Sequence, residues 1–310
     1  MPETTPPVRA VGLTKRFGEL AAVDGIDFIV ESGETFGFLG PNGAGKSSTM
    51  RMIGAVSPRA GGELTVFGLD PATAGPAIRQ RLGVVPQDDN LDQELSVFEN
   101  LLVYGRYFGI PSRRVRERAA ELLEFVQLTD RRNARVEHLS GGMKRRLTIA
   151  RGLINDPDLM LLDEPTTGLD PQARHALWDR LYRLKQQGVT LVLTTHYMDE
   201  AEQLCDRLVV MDQGHIVAEG SPRELIGRYV EREVVELRFA PDTADGANGR
   251  LEGIGERLEV LQDRILIGTD DGDAAVLAVH ERGVTPESVL VRRSTLEDVF
   301  LTLTGHTLVD

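Results

Sequence analysis

A glycine-rich loop at residues 40–48 largely determines the fold class of this chain. It reads Gly40-Pro41-Asn42-Gly43-Ala44-Gly45-Lys46-Ser47-Ser48. Residues 34–39 before it form an apolar run of strand length, and residues 49–53 after it contain no helix breaker. The order strand, glycine loop, helix with the spacing Gly-x4-Gly-Lys-Ser is typical of a loop whose backbone N–H groups surround phosphates, assisted by the positive end of the helix dipole.

Two side chains of this loop have separate tasks in such a motif. Lys46 is expected to reach the β and γ phosphates of a nucleotide, and the Ser47 hydroxyl is expected to bind Mg2+. The plain alternative is a glycine-rich turn that happens to precede a helix. Because the lysine, the hydroxyl and the strand all stand where phosphate binding needs them, the sequence predicts a nucleotide site.

Composition restricts the class of protein. A chain of 310 residues with 41% apolar and 27% charged residues is ordinary for a globular protein and has room for two domains. Its apolar stretches are far shorter than the roughly 20 residues of a membrane-spanning helix, and its N-terminus lacks the pattern of a secretory signal. We therefore expect a cytoplasmic protein. A net charge of −13 argues against broad binding to nucleic acid, and the single cysteine, Cys205, is expected in the core.

A second motif lies at residues 159–164, where a continuous apolar run ends in Asp163 and Glu164. Such a run is typical of a strand buried on both faces of a parallel sheet. Ligands of open α/β sheets bind beyond the carboxyl ends of the strands, so these carboxylates should lie beside the phosphate loop. We expect Asp163 to hold Mg2+ through water and Glu164 to orient or deprotonate the attacking water.

Two further strand ends carry polar residues. Gln87 follows the strand-like residues 82–85, and His196 ends the apolar residues 189–195. A lone histidine at a strand end is more often a structural hydrogen-bonding residue than a catalyst. Here this is the third strand end that delivers a polar residue, and we predict a functional role for His196.

The remaining signals are weaker alone. Residues 88–155 change to a helical pattern and predict a helical insertion, within which residues 139–144 place Ser-Gly-Gly before a helix. Asp170 is placed as a helix N-cap. Phe17 could stack on an adenine ring or be an ordinary core aromatic. After residue 232 the composition shifts, and we expect an α/β domain at residues 8–232 followed by a small, ferredoxin-like α+β domain at residues 233–310.

In order, these motifs resemble the nucleotide-binding subunit of ABC transporters over residues 8 to about 220. The resemblance implies an α/β P-loop NTPase fold with an antiparallel β subdomain and a helical insertion. It assigns catalytic roles to Glu164, His196, Gln87 and Asp170. It assigns nucleotide contacts to Phe17, Gly40, Asn42, Gly43, Ala44, Gly45, Lys46, Ser47, Ser48, Ser140, Gly141 and Gly142, and metal contacts to Ser47, Gln87 and Asp163. Two positions depart from the family pattern, since many members carry tyrosine at Phe17 and glutamine at Met143.

The family also implies partners. Two such domains pack head to tail as a homodimer or with a related subunit, and two ATP molecules with Mg2+ lie between the phosphate loop of one and residues 140–142 of the other. Residues 84–92, 139–147 and 296–301 look like those of ABC-2 type exporters of the drug-resistance and nodulation-factor kinds. Such exporters move drug, lipid or oligosaccharide-like substrates through a separate membrane permease, which would hold this subunit at the inner face of the membrane.

Two other functions fit parts of the pattern. One is a non-transport ABC ATPase acting on ribosomes or DNA, which is disfavoured by the single cassette and the acidic charge. The other is a regulatory nucleotide-binding module without turnover, which Glu164 and His196 argue against. We place the permease contact at residues 88–108, where four aromatics stand, although each could belong to the core. They are Phe98, Tyr104, Tyr107 and Phe108.

Overall fold

The computed structural model describes residues 5–239, 248–261 and 263–305. The chain divides into two compact units between Glu219 and Gly220. Among the described residues, no helix combines the length and the apolar character needed to cross a membrane.

The first unit is built on two sheets. Its strands are β1 (Val8–Phe17), β2 (Leu20–Val30), β3 (Thr35–Leu39), β4 (Gly61–Val66), β5 (Leu82–Val85), β6 (Leu159–Asp163), β7 (Thr190–Thr195), β8 (Arg207–Asp212) and β9 (His215–Gly220). Its helices are α1 (Lys46–Ile53), α2 (Pro71–Gln80), α3 (Val97–Tyr107), α4 (Ser112–Phe125), α5 (Gly141–Gly152), α6 (Pro171–Gln186) and α7 (Met198–Leu204). The predicted α/β class, the antiparallel strands ahead of the phosphate loop and the helical insertion are therefore confirmed.

The larger sheet aligns the functional strand ends. Its order is β5-β6-β7-β3-β8-β9. The four neighbouring pairs β5–β6, β6–β7, β7–β3 and β3–β8 are parallel. Strand β7 pairs with both neighbours at its carboxyl end, where Thr194 lies opposite Asp163 and Thr195 lies opposite Leu39. Because parallel strands end at the same edge, the phosphate loop after β3 and the carboxylates at the end of β6 share one side of the sheet.

The smaller sheet, of order β2-β1-β4, is antiparallel and packs into the same core. Phe28 of β2 meets Phe36 and Phe38 of β3, with ring centroids 6.0 Å and 5.1 Å away. All three rings are buried. This aromatic contact fixes β3 against the antiparallel sheet, and β3 leads directly into the phosphate loop.

Helix α3 of the helical insertion begins with a capping box. The Ser96 hydroxyl accepts from the Glu99 N–H at 3.2 Å, and the Glu99 carboxylate accepts from the Ser96 N–H at 2.9 Å. The aromatics of α3 differ in burial. Phe98 is 9% exposed and lies 3.7 Å below the Arg132 guanidinium, whereas Tyr107 is 77% exposed. Phe98 is thus a core residue, and Tyr107 is available at the surface.

The second unit begins with α8 (Pro222–Tyr229). It continues with β10 (Glu233–Arg238), α9 (Asn248–Leu251), β11 (Arg257–Val260), β12 (Arg264–Thr269), α10 (Gly272–Glu281), β13 (Ser288–Arg293) and α11 (Leu296–Thr304). The antiparallel order β11-β12-β10-β13 is that of the predicted ferredoxin-like arrangement. Helix α8 packs against α11, which accounts for the division ahead of residue 220. The boundary expected after residue 232 stays a prediction.

Candidate nucleotide-binding and catalytic site

The phosphate loop closes around the ammonium group of Lys46. Its Nζ donates to the carbonyls of Gly40 at 2.7 Å and Pro41 at 2.9 Å. Burial lowers the pKa of Lys46, while the nearby carboxylates of Glu164 and Asp163 act in the opposite direction. A cation held inside a loop of backbone groups is placed to meet an anion that enters the same loop.

Two glycines of the loop are required by close backbone approach. A Cβ at Gly40 would lie 2.2 Å from the carbonyl oxygen of Met211, and a Cβ at Gly45 would lie 2.3 Å from that of Ala22. Gly45 also adopts a φ of 101° where it caps α1, a conformation that disfavours any side chain. The loop therefore reaches the N-terminus of α1 only with glycine at these positions.

Ser47 and Asp163 meet across the sheet edge, as the sequence suggested. The Ser47 hydroxyl lies 3.1 Å from Asp163 Oδ1, and Thr194 of β7 donates to the same oxygen at 2.5 Å. A hydroxyl beside a carboxylate supplies the oxygen donors that Mg2+ prefers. The donor set therefore fits the metal that we expected there. Thr194 was absent from the sequence prediction because a threonine inside an apolar run reads as an ordinary strand residue.

Glu164 is the centre of the site. Its carboxylate is 7% exposed and is approached from four directions. Gln87 Nε2 and Thr167 Oγ1 each donate to Oε2 at 3.2 Å, His196 Nδ1 lies 3.1 Å from Oε1, and Lys46 Nζ lies 3.9 Å from Oε1. The structure thus brings together three of the four predicted catalytic residues beside the phosphate-loop lysine.

The backbone of Glu164 supports this placement. Its φ is 45°, a left-handed conformation that is uncommon for a non-glycine residue. Its N–H lies 3.0 Å from the Thr194 hydroxyl and 3.1 Å from the Thr194 carbonyl, which anchors the turn that follows β6. Strain held in place by such contacts recurs at functional sites.

Gln87 contacts the carboxylate of Glu164 and not the pair formed by Ser47 and Asp163. Its amide nitrogen donates to Glu164, while Ser47 and Asp163 bond each other. The predicted catalytic role of Gln87 is compatible with this geometry. Its predicted metal contact stays a prediction.

Ser140, Gly141 and Gly142 form a second cluster with Asp170. The Ser140 hydroxyl caps α5 through the Met143 N–H at 3.3 Å, and Asp170 caps α6 through the Ala173 N–H at 2.9 Å. These residues line one cleft, together with Leu169. A Cβ at Gly141 would meet open space, so the N-terminus of α5 faces a free volume. The two capping bonds involve only the N-termini of α5 and α6, and neither reaches the chain's own phosphate loop.

Phe17 ends β1 and is 54% exposed. The Lys15 ammonium lies 4.9 Å from the centroid of its ring. A core role for this aromatic is therefore ruled out by its exposure, and a free ring face is what base stacking requires.

Arg145 is a site residue that the sequence analysis missed. Its guanidinium donates to the carbonyl of Pro165 at 2.7 Å and to those of Asp163 and Glu164 at 3.1 Å each. It also reaches the carbonyls of Pro86 and Gln87. It stands among other basic residues near the start of α5, so the sequence did not distinguish it from a surface arginine.

This chain is similar in sequence to known proteins. The family description of ABC transporters matches residues 23–167. The chain is 47% identical over 296 residues to Nod factor export ATP-binding protein I of Cupriavidus pinatubonensis, covering 96% of this chain and 90% of that protein. A protein of the same name from Rhizobium sp. (strain N33) is 48% identical over 295 residues, covering 95% of this chain and 96% of that protein.

Solved structures give the same fold. A dimeric ATP-binding cassette, MJ0796, in a post-hydrolysis state bound to ADP and Pi is 28% identical, with a TM-score of 0.64 over 69% of this chain and 98% of that chain. The ADP conformation of MJ1267, an ATP-binding cassette of an ABC transporter, is 29% identical, with a TM-score of 0.65 over 71% of this chain and 93% of that chain.

Proposed function

Because this chain belongs to the ABC transporter family as an ATP-binding subunit, we propose that its two polar clusters are complementary halves of an ATP site completed between two copies. The first half holds Lys46 and Glu164, and the second holds residues 140–142. The chain is an ATPase, and the observation that carries the catalytic assignment is the Glu164 carboxylate oriented by both Gln87 and His196.

The work of this ATPase is export. The relatives named above are export ATP-binding proteins, which favours this function over action on ribosomes or DNA. The transported molecule would be of the drug, lipid or oligosaccharide-like class, with the nodulation factor of the relatives as an example. It would pass through a separate ABC-2 type permease, which would hold this subunit at the inner face of the membrane.

The chain's own residues divide the catalytic work. Lys46 stabilises negative charge on the phosphates, since its ammonium already lies inside the loop. Glu164 orients the attacking water and accepts its proton, because a carboxylate within hydrogen-bonding reach can act as a general base. His196 Nδ1 contacts Oε1 and Gln87 Nε2 donates to Oε2, so the orientation of the Glu164 carboxylate is set from both sides.

Mg2+ fits the pair formed by Ser47 and Asp163. When bound, it would neutralise charge on the phosphates that the loop holds. The Thr194 hydroxyl keeps Asp163 Oδ1 directed to the same place. Gln87 would join these oxygens only after leaving Glu164, and we propose that metal contact as a property of the loaded site.

The permease would meet residues 88–108, including the exposed Tyr107 of α3, and the groove that Asp88 and Asn90 line. Residues of α1, of the segment just after it and of β5 line this groove, including Val56 and Val84, which are both exposed. Gln87 itself also lines it. A permease segment seated there would touch Gln87, which itself donates a hydrogen bond to Glu164. A movement of the permease could therefore reach the catalytic carboxylate through Gln87.

A mixing experiment tests the shared site. Lys46→Ala destroys the first half and Ser140→Arg blocks the second, so each purified variant should be inactive alone. With random exchange of chains, an equimolar mixture should regain at most about a quarter of the wild-type sites, because one site of each mixed pair is intact. ATPase activity that is lost in each variant and never restored by mixing would contradict a site shared between copies.

A further inference from the structure

Arg145 makes an unusual set of contacts for a buried cation. Only 4% of the residue is exposed. Its Nε donates to the Pro165 carbonyl, its Nη2 to those of Asp163 and Glu164, and its Nη1 to those of Pro86 and Gln87. A guanidinium has five N–H donors in a fixed plane, and here five carbonyl oxygens receive them.

These carbonyls come from two separate strand ends. Pro86 and Gln87 follow β5, whereas Asp163 ends β6 and Glu164 and Pro165 follow it. Strands β5 and β6 are neighbours in the sheet, but their ladder stops at Val85 and Leu162. Beyond that point the backbones no longer bond each other in the ladder, and Arg145 bridges them. The side chains of Gln87 and Glu164 extend from this bridged segment.

The charge of Arg145 belongs to the same site. Burial lowers its pKa, and the surrounding carboxylates of Asp89, Glu200, Asp163 and Glu164 oppose that effect. The bonds nevertheless go to carbonyl oxygens, which leaves the Glu164 carboxylate free for Gln87 and His196. A lysine would supply one compact charge with three donors and could not reproduce the planar fork.

The position of Arg145 on α5 adds a second connection. Ser140 caps this helix, and Arg145 lies in its second turn. A helix of this length moves as a rigid element, so a displacement at its N-terminus would be felt at Arg145. If the proposed function holds, that N-terminus binds the nucleotide of the other copy.

We propose that Arg145 is a positioning residue that holds the Gln87 and Glu164 backbones in one geometry and links both to the signature end of α5. This inference rests on the proposed function. Its consequence is that closure on the nucleotide of one site orients Glu164 of the other. Arg145 acts through Glu164 and does not touch ATP.

The test uses the full chain with Arg145→Gln and Arg145→Lys, and with Arg151→Gln as a matched control. Arg151 is also buried on α5 and also donates to carbonyls, but its partners are Asp89 and Asn90. We expect Arg145→Gln to lower kcat on the order of 10- to 100-fold, because small misplacements of a catalytic group have effects of this size. KM for ATP should change less than about threefold.

The control separates positioning from stability. Arg151→Gln should lower Tm about as much as Arg145→Gln and leave kcat within about threefold of wild type. Arg145→Lys retains the charge and is the milder change for folding, yet it should recover only part of kcat. Full wild-type kcat in Arg145→Lys would overturn the proposal, because a point charge cannot bridge both strand ends.

A double substitution tests whether Arg145 acts through Glu164. In a Glu164→Gln background, Arg145→Gln should cause no further loss of kcat, whereas independent effects would multiply. A multiplied loss would overturn the proposal. If the wild-type chain lacks ATPase activity that depends on Glu164, the proposed function itself fails. If that activity is present and Arg145→Gln keeps it, only this inference fails.

Discussion

His196 Nδ1 lies 3.1 Å from Glu164 Oε1, although the two residues are separated by 32 positions in the chain. The register of β6 and β7 produces this contact. Asp163 pairs with Thr194 in the parallel ladder, so the residues just beyond each strand end leave the sheet side by side. A parallel edge thus converts two separate strand ends into one hydrogen-bonded pair, and it does so next to the phosphate loop.

Glu164→Gln should keep ATP binding and lower turnover by roughly two to four orders of magnitude, because the amide cannot accept the proton of the attacking water. The ATP that persists should hold two copies together, and size-exclusion chromatography with ATP should show a dimer that ADP does not support. Glu121→Gln on the surface of α4 is the control. The dimer should vanish in the double variant Glu164→Gln, Ser140→Arg. Brisk turnover by Glu164→Gln in the presence of its permease would contradict the role of this carboxylate.

Lys46→Ala should weaken ATP binding by roughly 30-fold or more, since truncating one member of a buried charge contact costs about 2–5 kcal/mol. The fold should survive because β3 and its aromatic contacts do not depend on this side chain. Nucleotide titration measures the loss. Lys185→Ala removes a lysine paired with Asp206 and serves as the comparison. An unchanged ATP affinity in folded Lys46→Ala would remove the phosphate-loop assignment.

Phe17→Ala should weaken ATP binding by about 1–2 kcal/mol, roughly 5- to 30-fold in Kd, because the ring offers an exposed face to the base. Phe17→Tyr keeps that face and should bind like the wild type. Val11→Ala trims another exposed apolar residue of β1 without removing an aromatic ring. Titration with ATP and with inorganic triphosphate separates the base from the phosphates. Equal losses for both ligands would argue against stacking.

Glu200 should make stability depend on pH. Burial raises its pKa above 4.5, against the opposing effect of Thr195, Thr166 and Trp178. The folded chain therefore holds this proton more tightly than the unfolded chain, and its contribution to stability falls as pH rises from about 4.5 through the folded pKa. The free energy of unfolding of Glu200→Gln minus that of the wild type should therefore be more favourable to the variant at pH 8 than at pH 5, as measured by urea unfolding. The same difference at both pH values would show that Glu200 does not titrate in this way.

The permease contact should involve the exposed end of α3. A cysteine placed at Tyr107 should crosslink to the membrane partner, whereas one at Phe98 should not, because Phe98 is buried under Arg132. A Cys205→Ser background removes the native thiol. Crosslinks that map instead to residues 233–310 would place the permease on the second unit.

The sequence alone determined the identity and order of the functional strand ends. The phosphate loop, the carboxylates after β6 and the histidine after β7 are each defined by a few consecutive residues in a strand context. Such local patterns can be recognised in the sequence because glycine spacing, apolar runs and polar strand ends follow from backbone sterics and burial. The ferredoxin-like arrangement of the second unit was also expected from its order of elements.

Only the tertiary structure decided which of these residues lie together. Gln87, Glu164 and His196 converge because three strands are adjacent and in register, and register is a long-range property that no short segment encodes. The same holds for Arg145, which looks like a surface arginine in the sequence. Its five carbonyl partners come from two strand ends that lie 58 to 59 and 18 to 20 positions away in the chain. Burial, rather than residue type, likewise separates Phe98 from Tyr107, because burial depends on which helices pack over each ring.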